Sequence, residues 1–224
     1  MAKIVIFGAG KIADQIFHYL TYDSIHEVAA FAVDGAFQDK TSLWGRPVVA
    51  FEDVVNLYSP ADHQMFVAVG YQDLNRFRAL KCDEAKAKGY RLISYVSSRA
   101  SNIGKVDIGE NSLVLDNAVV QPCSRVGNNV FIWSGNQVGH HATIEDHVYL
   151  AGHCIVGGAS VIEPYCYLGV NATVGHEVRV GEESFLGAGS LIVKNVAPRS
   201  VHIVPETPKF RLDSKSFMKL TKMK

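Results

Sequence analysis

Five histidines crowd one stretch of the chain: His140, His141, His147, His153 and His176. Imidazole exchanges protons near neutral pH and is also a common zinc ligand, so this stretch offers either a general base or a metal site. A second chemical feature is Gly8-Ala9-Gly10-Lys11-Ile12-Ala13, which fits G-x-G-x-x-G/A, with Asp34 downstream. In a strand–turn–helix setting, bare backbone amides hold phosphates and an acidic residue accepts from a hydroxyl. Cys82, Cys123, Cys154 and Cys166 show no CxxC spacing and give no metal or redox motif.

The elements that must position the histidines repeat every six residues. From Ile108 to Ile192 the first position of every hexad is Ile, Val or Leu, fifteen times in fifteen. The fifth position is small or modest, and the second is often glycine, as at Gly109, Gly127, Gly139, Gly157, Gly169, Gly175, Gly181 and Gly187. Neither a helix nor a plain strand has this period. It predicts a parallel β-helix with three short strands per coil, about five coils and roughly 24 Å tall. The branched residue points inward, the small one sits near the axis, and the second-position glycine is expected to supply an unusual φ at the corner. Cys154 and Cys166 then point into the core as small hydrophobes.

Eighteen residues make one coil, which sorts the candidates. His140, Gly158, His176 and Lys194 stack along one corner, and Ser134, Gly152, Val170 and Ala188 along another. His141, His147 and His153 fall on three different sides and point apart, which argues against a metal unless subunits share it. His147, His153 and His176 read as solvated corner residues. Asn136 breaks the small-residue rule at a fifth position, where a buried amide needs partners, and this marks it as either a backbone-paired amide or a supporting group.

Ahead of the hexads, strands alternate with helices. The pattern predicts strands over Lys3–Phe7, Glu27–Val33, Pro47–Ala50, His63–Val69 and Arg91–Val96, and helices after Gly10, through Glu52–Tyr58 and over Asp73–Lys88. This describes a small parallel α/β sheet. The expected organisation is an α/β Rossmann-like domain over 1–100, a β-helix over 101–196 with a linker near Ser97–Asp107, and a tail over 197–224 that caps the last coil. Only half of a dinucleotide fold is present, so the crevice at the strand ends is read as a nucleotide or nucleotide-sugar site rather than an NAD site. Gly70, after another strand, lies on the same rim. Lysine plus arginine equal aspartate plus glutamate at 22 each, so no nucleic-acid or anionic-membrane surface is expected. No apolar run approaches membrane length, the start reads as a strand rather than a signal peptide, and a reduced cytoplasm is the expected setting.

Val130–Thr143, which contains Trp-Ser-Gly-Asn-Gln-Val-Gly-His-His, and Leu168-Gly-Val-Asn-Ala-Thr resemble the bacterial nucleotide-amino-sugar N-acetyltransferases of surface-glycan (lipopolysaccharide O-antigen) pathways, including the bacillosamine and perosamine branches. Sialic-acid O-acetyltransferases are relatives. The resemblance covers nearly the whole chain and implies a left-handed β-helix and a homotrimer with active sites between subunits. Acetyl-CoA would be the co-substrate, with no metal. It also implies a catalytic general base at His140 and acetyl-CoA contacts at Gly158, Val170, Ala188 and Tyr149. Nucleotide-sugar contacts would fall at Gly10, Lys11, Ile12, Asp34, Gly35 and Gly70. The chain departs from the family pattern in three places. His141 stands where an acidic residue usually follows the base, which leaves Asn136, Glu145 or Asp146 as candidates to orient His140, with His141 and Asn136 as candidate supporting residues. The glycine turn is one residue shorter, and Pro205-Glu-Thr-Pro-Lys replaces the usual Gly-x-Pro-Ala ending.

The expected reaction is acetyl transfer from acetyl-CoA to the amine of a UDP-, dTDP- or GDP-linked aminodideoxy sugar, by direct attack with His140 as base. O-acetylation of a sugar hydroxyl is the alternative within the enzymes. A non-catalytic β-helix scaffold that senses a nucleotide is the alternative outside them.

Overall fold

The computed structural model describes residues 1–102, 104 and 106–221. Strand β1 (Lys3–Phe7) runs into helix α1 (Lys11–Tyr22), followed by β2 (Glu27–Val33), the two-residue β3 (Ser42–Leu43), β4 (Arg46–Ala50), α2 (Val54–Leu57), β5 (His63–Val67) and α3 (Arg76–Ala87). The sheet order is β3-β4-β2-β1-β5, parallel except for the β3–β4 hairpin. The chain leaves β1 toward β2 and later returns on its other side to β5, so a topological switch point flanks the C-terminal end of β1, where such sheets hold ligands.

Two expected elements differ. Helix α3 starts at Arg76 rather than Asp73, because Asp73, Leu74 and Asn75 all have left-handed φ (+49°, +44° and +69°). The predicted fifth strand over Arg91–Val96 divides: Leu92 bridges Met65, whereas Tyr95–Val96 pairs with Leu113–Val114 in the β-helix. The Ser42–Leu43 hairpin strand, which turns through Trp44 and Gly45 at φ +52° and +71°, was not foreseen.

The hexads form a left-handed parallel β-helix. Its first face stacks Tyr95–Val96, Leu113–Val114, Phe131–Ile132, Tyr149–Leu150, Tyr167–Leu168, Phe185–Leu186 and Val201–His202. The second face runs from Ser101–Asn102 to Leu191–Ile192, and the third from Arg125–Val126 to Arg179–Val180. Rungs at both ends thus lengthen the stack beyond the hexads. Inside it, the first-position branched residues and the fifth-position small ones form one continuous buried core. Beyond Val201–His202 the tail is extended and exposed, and ends in helix α4 (Ser214–Thr221), which buries no residue.

The corner geometry corrects the expected role of glycine. From Asn111 to Gly189 it is the fourth position of each hexad that is left-handed, at φ between +53° and +73°. The second-position glycines lie outside that region and are needed for space. A Cβ on Gly139 would sit 2.6 Å from the Gly158 nitrogen, and one on Gly169 2.6 Å from that of Ala188. Successive coils approach too closely there for any side chain.

The α/β domain packs on the first face. One side of its sheet, with Ile4, Ile6, Phe31 and Phe66, shares a core with Leu113, Phe131 and Tyr149. Polar locks secure both edges. The Asn111 amide pairs with the Val67 backbone like one more strand residue, accepting from its N–H at 2.7 Å and donating to its carbonyl at 3.3 Å. At the other edge Asp23, after α1, accepts from Tyr95, from Ser97 Oγ at 3.1 Å and from the Ser98 N–H at 2.9 Å.

Candidate active site

His140 occupies the third hexad position of the corner that joins the second face to the third, and is exposed. Its backbone N–H donates to Gln121 Oε1 at 2.9 Å, a contact from the coil below that sequence reading missed, although the eighteen-residue register places Gln121 beside this corner. The ring lies over Gly158, one coil on: a Cβ there would meet Nε2 and Cε1 of His140 at 2.8 Å. His140 Nδ1 lies 3.1 Å from His141 Nδ1, with the two rings edge to face at 84°. His176, next along the corner, has its ring centroid 6.1 Å from that of His140 and its Nε2 3.4 Å from Glu177 Oε1.

Asn136 does not support His140. It is 1% exposed, donates through Nδ2 to the carbonyls of Trp133 and Ala151, and accepts from the Cys154 N–H at 3.1 Å. Both its nitrogen and its oxygen are engaged by backbone, so it is a structural amide. Asp146 is likewise engaged elsewhere, accepting from the Asn128 N–H at 2.8 Å. His147 is not a solvated corner residue either. It stacks on Tyr165 at 4.7 Å, its Nδ1 meets Asn129 Nδ2 at 2.9 Å, and burial pushes its pKa down. Burial raises the Cys154 and Cys166 thiols to about 12, which removes both as thiolate nucleophiles. Among the described residues no group of three His, Cys, Asp or Glu side chains is arranged to hold a metal.

The residues expected to touch CoA do not share one edge. Gly158 lies with His140 at the second–third corner, while Val170 and Ala188 lie exposed at the first–second corner, across the second face. Tyr149 is a correction. It points out from the first face, but the α/β domain covers it: 6% of it is exposed, with Tyr71 at 5.2 Å and the Arg78 guanidinium over its ring at 5.8 Å. A side chain so enclosed belongs to the interdomain core and has no surface for CoA.

The crevice expected to take a nucleotide has the strand–turn–helix form that the glycine pattern predicts. Gly8, at φ +121°, lies where a Cβ would be 2.8 Å from the Ala68 carbonyl, so only glycine lets β1 turn beside β5. Gly10 caps α1, Lys11 is exposed, and Ile12 Cδ1 lies within 3.4 Å of where a Gly70 side chain would begin. Asp34 directly follows β2, on the neighbouring rim. Its Oδ1 lies 2.7 Å from Lys81 Nζ, which also reaches Glu84 at 2.8 Å. Glu52 accepts from the Gly35 N–H through both oxygens, at 3.2 and 2.9 Å. Neither Lys81 nor Glu52 was legible in the sequence, because no spacing rule links them to the glycine turn.

The model of the bacterial transferase hexapeptide (six repeats) matches residues 123–158, the coils that carry His140 and Gly158. No curated sequence matches the chain. Among solved structures, the perosamine N-acetyltransferase of Caulobacter crescentus, a histidine mutant with CoA and GDP-perosamine, is similar at TM-score 0.82 and 23% identity, covering 90% of this chain and 93% of that one. The acetyltransferase domain of PglB from Neisseria gonorrhoeae is similar at TM-score 0.78 and 24% identity, covering 90% and 96%. WeeI from Acinetobacter baumannii follows at 0.76 and 20%, also covering 90% and 96%. The chain therefore has the fold of these proteins: a Rossmann-like α/β unit ahead of a left-handed β-helix of transferase-type hexapeptide repeats.

Proposed function

We propose that this chain is an acetyl-CoA-dependent N-acetyltransferase acting on the amine of a nucleotide-linked amino sugar. The observation that carries the reading is the placement of two chemically distinct sites on one β-helix. The nucleotide crevice belongs to the α/β domain on the first face, whereas His140 stands at the second–third corner, across the prism. Within one copy the crevice and His140 therefore lie on opposite sides of the prism, which favours transfer between copies. An assembly in which neighbouring β-helices pack side by side allows such transfer, and a homotrimer with its sites between subunits is an assembly of this kind. The same packing lets the His140–Gly158 corner of one copy and the Val170–Ala188 corner of the next line a single cleft for CoA. The neighbouring fold found with CoA and GDP-perosamine supports this choice of ligands.

In the cleft the neutral amine attacks the thioester carbonyl. The C–N bond forms, the C–S bond breaks, and the sulfur leaves as CoA. His140 Nε2 takes the amine proton as general base. The N–H of Gly158, beneath the ring, is the candidate donor to the oxyanion. Gly10, Lys11, Ile12, Asp34, Gly35 and Gly70 hold the nucleotide. The test is a panel of UDP-, dTDP- and GDP-linked amino sugars with acetyl-CoA, read by free-thiol release and by the acetyl mass increment. Transfer to a hydroxyl of the sugar, or thiol release with none of them, would overturn the reading.

A further inference from the structure

We propose that His141 is a positioning residue for His140: its Nδ1 accepts the Nδ1–H of His140, leaving Nε2 of His140 free to take the amine proton. The inference rests on the reading of His140 as the base. It answers a question the sequence leaves open, namely what orients that base when no carboxylate follows it.

The two rings meet because of the corner backbone. His141 is the fourth residue of its hexad and left-handed, at φ +59°, which turns its side chain back against that of His140. The two Nδ1 atoms are 3.1 Å apart, a hydrogen-bonding distance. Each neutral imidazole carries one N–H and one lone pair, so a single proton must lie between these nitrogens. In one arrangement His140 donates and its Nε2 lone pair is exposed. In the other His141 donates, and His140 carries its proton on Nε2, where it cannot act as a base. The reaction selects the first. Once His140 has taken the amine proton it bears N–H groups on both nitrogens, and only a lone pair on His141 can then face its Nδ1. The bond also becomes charge-assisted at that moment, so it strengthens toward the transition state rather than in the ground state.

Among the described residues no Asp or Glu side chain is hydrogen-bonded to His140 or His141. Nor does the turn require histidine here. The equivalent left-handed slot is filled by Cys123 one coil before and Ala159 one coil after, and by Asn, His, Glu, Tyr and Gly elsewhere in the stack. The fold is therefore indifferent to the residue at 141, and the contact with His140 is what distinguishes it.

His141→Gly, His141→Asn and His141→Glu separate positioning from structure. Glycine suits the left-handed backbone best but offers no acceptor, while Asn and Glu both carry one. If His141 positions the base, His141→Gly lowers kcat about ten- to hundredfold, the weight of a hydrogen bond to a charged group. KM for both substrates and the affinity for CoA stay within about twofold, and His141→Glu recovers most of the loss. Equal kcat in wild type and His141→Gly, an equal loss in Gly and Glu, or a change confined to KM would each overturn the proposal. Nitrogen-15 NMR of histidine-labelled protein provides a readout that needs no turnover. It should show a protected Nδ1–H on His140 in wild type that disappears in His141→Gly, and its absence from wild type would also overturn the proposal. If no amino-sugar nucleotide is acetylated but that proton is present, the proposed reaction fails and the hydrogen bond stands.

Discussion

Arg78 of α3 grips Asn129 of the β-helix twice: Nε donates to its side-chain oxygen at 2.8 Å and a terminal nitrogen to its carbonyl at 3.0 Å. The guanidinium is fully buried and lies over the Phe131 ring at 4.1 Å, and it also donates to the Gly70 carbonyl on the crevice rim at 3.0 Å. Burial lowers its pKa to about 10, which leaves it charged at neutral pH, and its hydrogen bonds go to neutral oxygens. Removing such a fork strands several buried acceptors at once. Arg78→Met should cost about 3–5 kcal/mol, roughly 10 °C in Tm, by calorimetric scanning. Arg78→Lys should recover little, because an ammonium lacks the planar set of donors.

His140→Ala should lower kcat by roughly 10²–10⁴, the range for a lost general base, with CoA affinity retained by titration calorimetry. Near-normal turnover in a folded assembly would remove His140 from the mechanism.

Gly158→Ala and Ala188→Leu should fail differently. A Cβ at 158 would lie 2.8 Å from the His140 ring, so the smaller change displaces the base and lowers kcat. Ala188 is exposed at the other corner, and leucine there should weaken CoA binding instead. Steady-state kinetics of the pair, with CoA affinity measured alongside, distinguishes the two outcomes.

Asp34→Ala should raise KM for the sugar nucleotide about ten- to hundredfold, the value of a charge-assisted hydrogen bond, and leave acetyl-CoA unaffected. Lys81 holds the carboxylate at 2.7 Å, so Lys81→Met should raise the same constant while the acceptor itself remains. An unchanged KM in both variants would place the nucleotide elsewhere.

Donors from Ser98 and Tyr95 hold the Asp23 carboxyl well below the usual carboxylate range. A carboxylate depressed in this way contributes stability above its unfolded value, near 4, and loses it as the pH falls further. Tm of the wild type should therefore drop as the pH is lowered from about 4. Asp23→Asn should start lower and flatten that limb, and parallel curves for the two proteins would count against the role of Asp23.

What could be read in the sequence was whatever repeats. Each hexad reports the same inward contact, so Ile108 to Ile192 announced the coil stack, and the eighteen-residue register placed Gly158 under His140 before any coordinates. What could not be read was which outward residues become covered. Tyr149 and Ile155 are both sixth-position residues, but the first lies under Tyr71 and the second is 43% exposed. Only the docking of the α/β domain separates them. The three left-handed residues before α3 escaped for a related reason: Asn75 is buried and donates across to the Cys166 carbonyl at 3.4 Å, a tertiary demand that no local propensity encodes.

The α/β domain ties down the first rungs of the coil stack and reaches along it as far as Cys166 and Glu183, through Asn75 and Arg76. Those first rungs carry the Asp23, Asn111 and Arg78 locks, whereas near the last, Leu191, Val193 and Val201 are between 66% and 68% exposed. In a structure where each rung touches only its neighbours, this asymmetry fixes the direction of fraying. Opening should begin at the Val201 rung and travel toward the α/β domain, so amide protons should exchange with solvent in a graded order along the stack. His140 and His141 stand partway along this gradient. The catalytic corner should therefore outlast the loss of the terminal coil, and a chain nicked in its tail should keep its base in place.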